Sequence, residues 1–235
     1  MKLRNLIRLN WPATCRLNYR AGGLAAVFRM PIKVFGRLRL RLGGQIVLPA
    51  GAGRNTLVIG SEHEDYTASA GRAELNLQGT WRIGGLVRLG PDCFVGIAPN
   101  AVLEMGNGCH IARDSQIHCF RHICFGRDVL AGELYATDST AHQILKDGAP
   151  CPMTEEILVD DQVYLGFRTM LLHGCRIPRG SVVASGAVCC KDYTQQGQTH
   201  LLLAGVPAAI KETGVTFELL EQREPSEACL RMAES

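Results

Sequence analysis

The chain has 235 residues, 46% hydrophobic and 20% charged, the composition of an ordinary soluble protein with material for one elongated domain plus terminal attachments. Its apolar stretches, such as 23–27 and 201–204, fall far short of the roughly 18 residues needed to cross a bilayer, so no transmembrane helix is expected. The net charge of +3 hides an asymmetry: residues 1–60 carry eleven Lys or Arg and no Asp or Glu, against 14 basic and 22 acidic residues in the rest.

At the N-terminus, Arg4, Arg8, Arg16 and Arg20 interrupt any apolar run that could serve as a secretion signal, and secretion is not expected. Residues 3–11 and 15–29 read as short helices with mixed basic and apolar faces, ended by Pro12 and Pro31. We place a basic arm at 1–42. Its charge suits an anionic membrane surface or polymer, and the competing expectation is a solvated cap that stabilises an oligomer.

A six-residue beat follows. Leu77, Ile83, Leu89 and Val95 are evenly spaced; the beat shifts phase to Met105, Ile111, Ile117 and Ile123, and again to Phe125, Ala131 and Thr137. It is strictest at Val159, Leu165, Leu171, Ile177 and Val183, with Val163, Thr169, Cys175, Ser181 and Ala187 four places after each. A period of six fits neither the 3.6 of an α-helix nor the 2 of an ordinary strand, but suits a triangular coil whose flat sides take six residues each. The aliphatic points inward and the small residue fits the corner. Stacked coils share one continuous core, so the repeat predicts an all-β solenoid over 43–191.

The segment 138–156 breaks the beat and contains Asp147-Gly148, Pro150 and Pro152, which mark turns. It is expected to be a loop thrown out from a coil, a common place for chemistry on a rigid scaffold. Residues 192–235 form a C-terminal segment, with a short helix predicted near 217–223.

Ten cysteines occur without a C-x-x-C, and Cys93, Cys109 and Cys175 sit at small-residue coil positions, so they read as reduced packing residues of a cytoplasmic protein. Cys189 and Cys190 are expected on opposite faces of a strand. His118 and His122 flank Cys119, but their spacing does not make a zinc site and no metal is expected. His63, His110, His173 and His200 are assigned no role.

The stretches "ATDSTAHQI" (136–144), "ILVDDQVYLGFRTMLLHGCRIPRGSVVASGAVCCKD" (157–192) and "LLLAGVPAAIK" (201–211) resemble the hexapeptide-repeat acyltransferases, in particular the group that O-acetylates bacterial polysaccharides. The resemblance implies a left-handed parallel β-helix, a homotrimer, and acetyl-CoA bound in the groove between neighbouring β-helices. It implies acetyl transfer to a saccharide hydroxyl, with amino-sugar N-acetylation or a catalytically idle trimeric scaffold as alternatives. By position, His142 matches the family's catalytic histidine and Asp138 an acidic residue four places before it. Independently, a neutral imidazole suits removal of an alcohol proton near pH 7, and a carboxylate beside its other nitrogen would orient it. For acetyl-CoA the matching positions are Tyr164, Gly166, Ser185, Gly186, Ala187, Lys191 and Lys211. The sequence departs from the family in having Tyr164 for Trp, Thr140 for a second acidic residue, and Ala209 for Lys. No nucleic acid is expected as a partner, and the acceptor sugar, the acyl chain and the oxyanion donor are not specified.

Overall fold

The computed structural model describes residues 9–61 and 71–218. They form one helix, α1 (Trp11–Arg29), and twenty-four strands, β1 to β24 in chain order. Three sheets of nine, seven and six strands run along the molecule, parallel throughout except for the last strand of the first, and each turn of the β-helix adds one strand to each sheet in succession. This is a three-sided parallel β-helix.

The register shows why the hexad works. On the first sheet Ile59, Leu89, Ile111, Ala131, Leu165, Val183 and Leu203 lie in one file, each opposite the next. All seven point into the prism and are buried. Val163, Thr169, Cys175, Ser181 and Ala187, the small residues of the strictest stretch, are buried as well. Since side chains in a strand alternate, each short side pairs a small inward residue with an aliphatic two places on, and both face one core. Burial at this level stabilises by about 1.5–3 kcal/mol for each large aliphatic side chain. Cys189 is buried and Cys190 exposed, as their adjacency predicts.

Several expectations need correction. Thr137 is not an inward residue: Ala136 stands opposite Ile117 and is buried, whereas Thr137 is only partly covered. The turn at Gly132-Glu133 is one residue short, and the phase slips with it. The first strands lie inside the segment assigned to the arm, since β1 (Ile32–Val34) pairs with β4 (Leu57–Ile59) and β2 (Leu38–Leu42) with β5 (Ala73–Leu77). At the far end β23 (Leu201–Ala204) continues the first sheet beyond 191, and β24 (Ala209–Thr213) turns back antiparallel against it. Residues 217 and 218 are not helical, and the remainder of the predicted terminal helix lies outside the described residues, as do 3–8 of the first predicted helix.

Pro12 begins a helix instead of ending one. It sits in the first turn of α1, where the missing N–H has no intrahelical acceptor, and the side chain of Asn10 caps the start by accepting from Ala13 N. Gly22 and Gly23 break the helix in the middle, with Gly23 at φ +63°. The inner face of α1 closes the open end of the β-helix. Asn18, fully buried, accepts from Ile32 N and donates to Ile32 O, and Thr14 Oγ1 accepts from Val34 N. These side chains satisfy edge groups of β1 that a further coil would otherwise have paired.

Candidate functional site

The interruption at 138–156 is a hairpin thrown out between β14 (Leu134–Thr137) and β17 (Ile157–Val159), at the corner where the chain passes from the second sheet to the third. Its base is tied by a bridge between Ser139 and Thr154 and by Thr140 N donating to Met153 O. Its tip pairs β15 (Leu145–Lys146) with β16 (Ala149–Pro150), and Asp147 and Gly148 turn the chain with φ of +51° and +80°. Both central residues in the left-handed region make the tight hairpin turn that Asp-Gly favours.

His142 stands on this ribbon, exposed. Thr140 Oγ1 donates to the backbone carbonyl of His142 at 2.8 Å, and Ala141 at φ +59° turns the chain just before it. Backbone, not ring, is therefore what the protein holds. Among the described residues no side chain is hydrogen-bonded to the His142 imidazole, which leaves both nitrogens accessible.

Asp138 does not orient it. Its side chain is fully buried, and its carboxylate accepts from Phe120 N at 2.7 Å, Arg121 N at 2.8 Å and His122 N at 2.7 Å, with the Cys119 thiol at 4.0 Å. Three backbone donors converge because the preceding coil makes a widened corner at 120–122, whose N–H groups have turned away from the ladder. Asp138 is the acceptor that satisfies them. With no exposed surface within one chain, it cannot be reached by a neighbouring subunit's histidine either.

His118 and His122 are separated by the same corner and serve different surroundings. His118 lies on the outer face of the second sheet, stacked on Phe94 at 4.7 Å and tilted against Tyr135 at 5.5 Å; burial holds its imidazole below the usual histidine range. His122 lies on the third sheet between two carboxylates, Nδ1 at 3.3 Å from Glu156 and Nε2 at 3.6 Å from Glu104. Arg82 and Arg176 pair with those carboxylates in turn, so that Arg82, Glu104, His122, Glu156 and Arg176 form one ladder of polar side chains on that face. Nδ1 is within hydrogen-bond reach of Glu156, whereas the approach of Nε2 to Glu104 at 3.6 Å is too long for a hydrogen bond. The ladder was not legible in the sequence, because Glu104, His122 and Glu156 are brought together only by the stacking of coils. Among the described residues no three His, Cys, Asp or Glu side chains converge as a metal site. Burial pushes the thiols of Cys93, Cys109 and Cys119 up to about 12, which suits packing and not nucleophilic chemistry.

The residues matched to acetyl-CoA separate into two groups. Gly166 and Ala187 present nothing to a ligand: Ala187 is buried in the core, and a Cβ on Gly166 would meet Ser185 N at 2.6 Å, so this glycine lets adjacent coils approach. The others are at the surface. Tyr164 lies on the outer face of the first sheet, its ring 5.6 Å from that of Phe217, and Lys211 is exposed on β24 of the same sheet. Ser185 and Gly186 form an exposed corner, where Gly186 adopts φ +73° beside open space and Ser185 Oγ accepts from Phe167 N. Lys191 is exposed, with Nζ 5.4 Å from the Tyr193 ring centroid, at the corner that also throws out the hairpin. Tyr164 and His142 thus occupy different sides of the prism, and one chain does not gather them.

No protein-family model matches the chain, and no curated protein matches it in sequence. Among solved structures it is similar to the polySia-specific acetyltransferase NeuO, with TM-score 0.52 at 14% identity over 87% of this chain and 98% of that one. It also matches the polysialic acid O-acetyltransferase OatWY, with TM-score 0.44 at 16% identity over 84% and 94% of the two chains. A third match is a point mutant of AntD, an N-acyltransferase from Bacillus cereus, with TM-score 0.42 at 13% identity over 69% and 83%. At these identities the NeuO likeness speaks for the fold and the other two carry no argument. In its repeat and in its architecture, the chain has the parallel β-helix fold of the hexapeptide-repeat acyltransferases.

Proposed function

We propose that the protein is an acyltransferase that moves an acetyl group from acetyl-CoA to a hydroxyl of a bacterial saccharide, working as a cytoplasmic homotrimer. The observation that carries this reading is the exposed, unpartnered imidazole of His142 on a hairpin tied into the β-helix fold shared with NeuO. His142 takes the proton of the acceptor hydroxyl as that oxygen attacks the thioester carbonyl. Collapse of the tetrahedral species breaks the carbon–sulfur bond, and the proton on the imidazolium passes to the leaving thiolate. No covalent link to the protein is needed, since the thioester is already activated.

The split of the candidate residues supports a site shared between subunits, as in a trimer. Tyr164, Ser185, Gly186 and Lys211 lie on or beside the first sheet, whereas His142 leaves the corner between the second and third. A groove lined by the first sheet of one chain and the hairpin of the next would unite them. Lys191 and Lys211 supply exposed cations for the phosphates of the donor, and Gly186 leaves room at the corner for a narrow chain to lie against backbone. The test is release of free thiol from acetyl-CoA in the presence of candidate glycans, compared with His142→Ala. Thiol release that needs the glycan and collapses in the variant supports the proposal, and equal activity in the variant overturns the assignment of His142.

A further inference from the structure

The outer face of α1 presents a surface that acyl transfer does not use. In its first half Ala13, Thr14, Leu17 and Asn18 pack inward, which leaves Trp11, Cys15 and Tyr19 as a row four residues apart on the opposite side, beside Arg16 and Arg20. After the glycine break, Leu24 and Phe28 repeat the same spacing. Trp11 is 43% exposed, Tyr19 62%, Leu24 67% and Phe28 80%. One exposed apolar side chain is ordinary; four large ones within nineteen residues, two on each side of the glycine break, mark an interaction surface.

Charge says what covers it. Residues 1–60 contain no acidic side chain, and Arg16 and Arg29 are exposed on the same helix as the apolar residues. Arg20 is committed elsewhere, since its guanidinium donates to the carbonyls of Gly43 and Gly44 and fastens α1 to the first coils. A two-fold contact of this face with its own copy would bring arginine against arginine, a juxtaposition that costs binding energy, and a contact with a different face of a second copy is separated by the assembly measurement below. An anionic polymer would satisfy the arginines but would leave Leu24 and Phe28 in water. An anionic bilayer satisfies both, with headgroups for the cations and the acyl boundary for the rings. No helix among the described residues is long and apolar enough to cross a membrane, so α1 would lie in the interfacial plane.

We propose that the outward side of α1, with the apolar Trp11, Tyr19, Leu24 and Phe28 and the cationic Arg16 and Arg29, docks the protein on an anionic lipid surface. The inference stands apart from the acyltransferase reading, because it needs neither His142 nor acetyl-CoA.

The test uses the full chain with phosphatidylcholine vesicles, with and without phosphatidylglycerol. Co-sedimentation and tryptophan emission are read together. The chain has two tryptophans, and Trp81 is fully buried, so a blue shift on adding vesicles reports Trp11 entering the interface. Expected are binding to the anionic vesicles with a blue shift, loss of binding as salt rises, and poor binding to neutral ones. L24A/F28A should lower partitioning by about tenfold or more. R16Q/R29Q should lower it by roughly twenty-fivefold, at about fivefold for each charge near the surface. These side chains are exposed, and an unchanged thermal unfolding profile checks that both variants fold. Absence of vesicle binding overturns the proposal, as does binding without a Trp11 shift or binding indifferent to lipid charge. A smaller assembly in L24A/F28A with no vesicle binding by the native chain assigns the face to a second copy instead. Binding to a soluble polyanion that survives L24A/F28A, again without vesicle binding, assigns it to a polymer.

Discussion

Replacing Asp138 separates a structural carboxylate from a catalytic one. In Asp138→Ala three backbone N–H groups, of Phe120, Arg121 and His122, lose their acceptor at once. A hydrogen bond to a charged acceptor is worth about 1.5–3 kcal/mol net, and these donors are only partly buried, so water recovers a share; the expected loss is about 4 kcal/mol. For a chain of this size that lowers the unfolding midpoint by about 10 °C. Asp138→Asn keeps the shape and one acceptor oxygen, but its amide must face at least one backbone donor. It should cost about half as much. The assay is thermal unfolding followed by circular dichroism, with thiol release measured on the same samples below their midpoints. If Asp138 instead oriented His142, the Asn variant would keep its midpoint and lose turnover. An unchanged midpoint in both variants would refute the reasoning.

His142→Ala should leave folding and vesicle binding unchanged while turnover in the thiol-release assay falls by about 10² to 10⁴, the usual worth of a general base. Gly166→Ala should destabilise by about 1–3 kcal/mol in denaturant unfolding, because its Cβ would meet Ser185 N and Val183 O, which are backbone and cannot step aside. Brief alkylation of the native protein at pH 8, read by mass spectrometry, should modify the exposed Cys15 and Cys190 and spare Cys93, Cys109 and Cys119. The thiols of those three are pushed up to about 12, so they stay protonated until the pH approaches that value. Sedimentation equilibrium at micromolar concentration should give a trimer; a monomer would remove the shared groove.

The sequence by itself determined the architecture. A period of six, strictest over 159–183 with a small residue two places before the aliphatic, points to a three-sided coil, and the step from Leu165 to Val183 is three such hexads; the other steps of the file from Ile59 to Leu203 are lengthened by corner insertions that the stacking alone reveals. The excursion at 138–156 was legible as a loop for the same reason, since Asp147-Gly148 and two prolines sit where the beat stops, and its pairing into a hairpin was found only in the structure. What the sequence left undetermined are matters of which coil lies above which. Asp138 and His142 are four residues apart, a spacing that suggests partnership, yet the stacking carries Asp138 under the corner of the preceding coil and buries its charge among backbone donors. Glu104, His122 and Glu156 are distant in the chain, and only the rise of one coil upon another sets them side by side. Gly166 and Ala187 look like room for a ligand in one dimension but prove to be room for a neighbouring coil. The helix shows the same division. The pattern of 15–29 fixes a helical tendency, although Pro12 reads as a stop and proves to be a start, and which face points outward was decided by Asn18 and Thr14 pairing with the edge of β1, a contact between elements that no local propensity encodes.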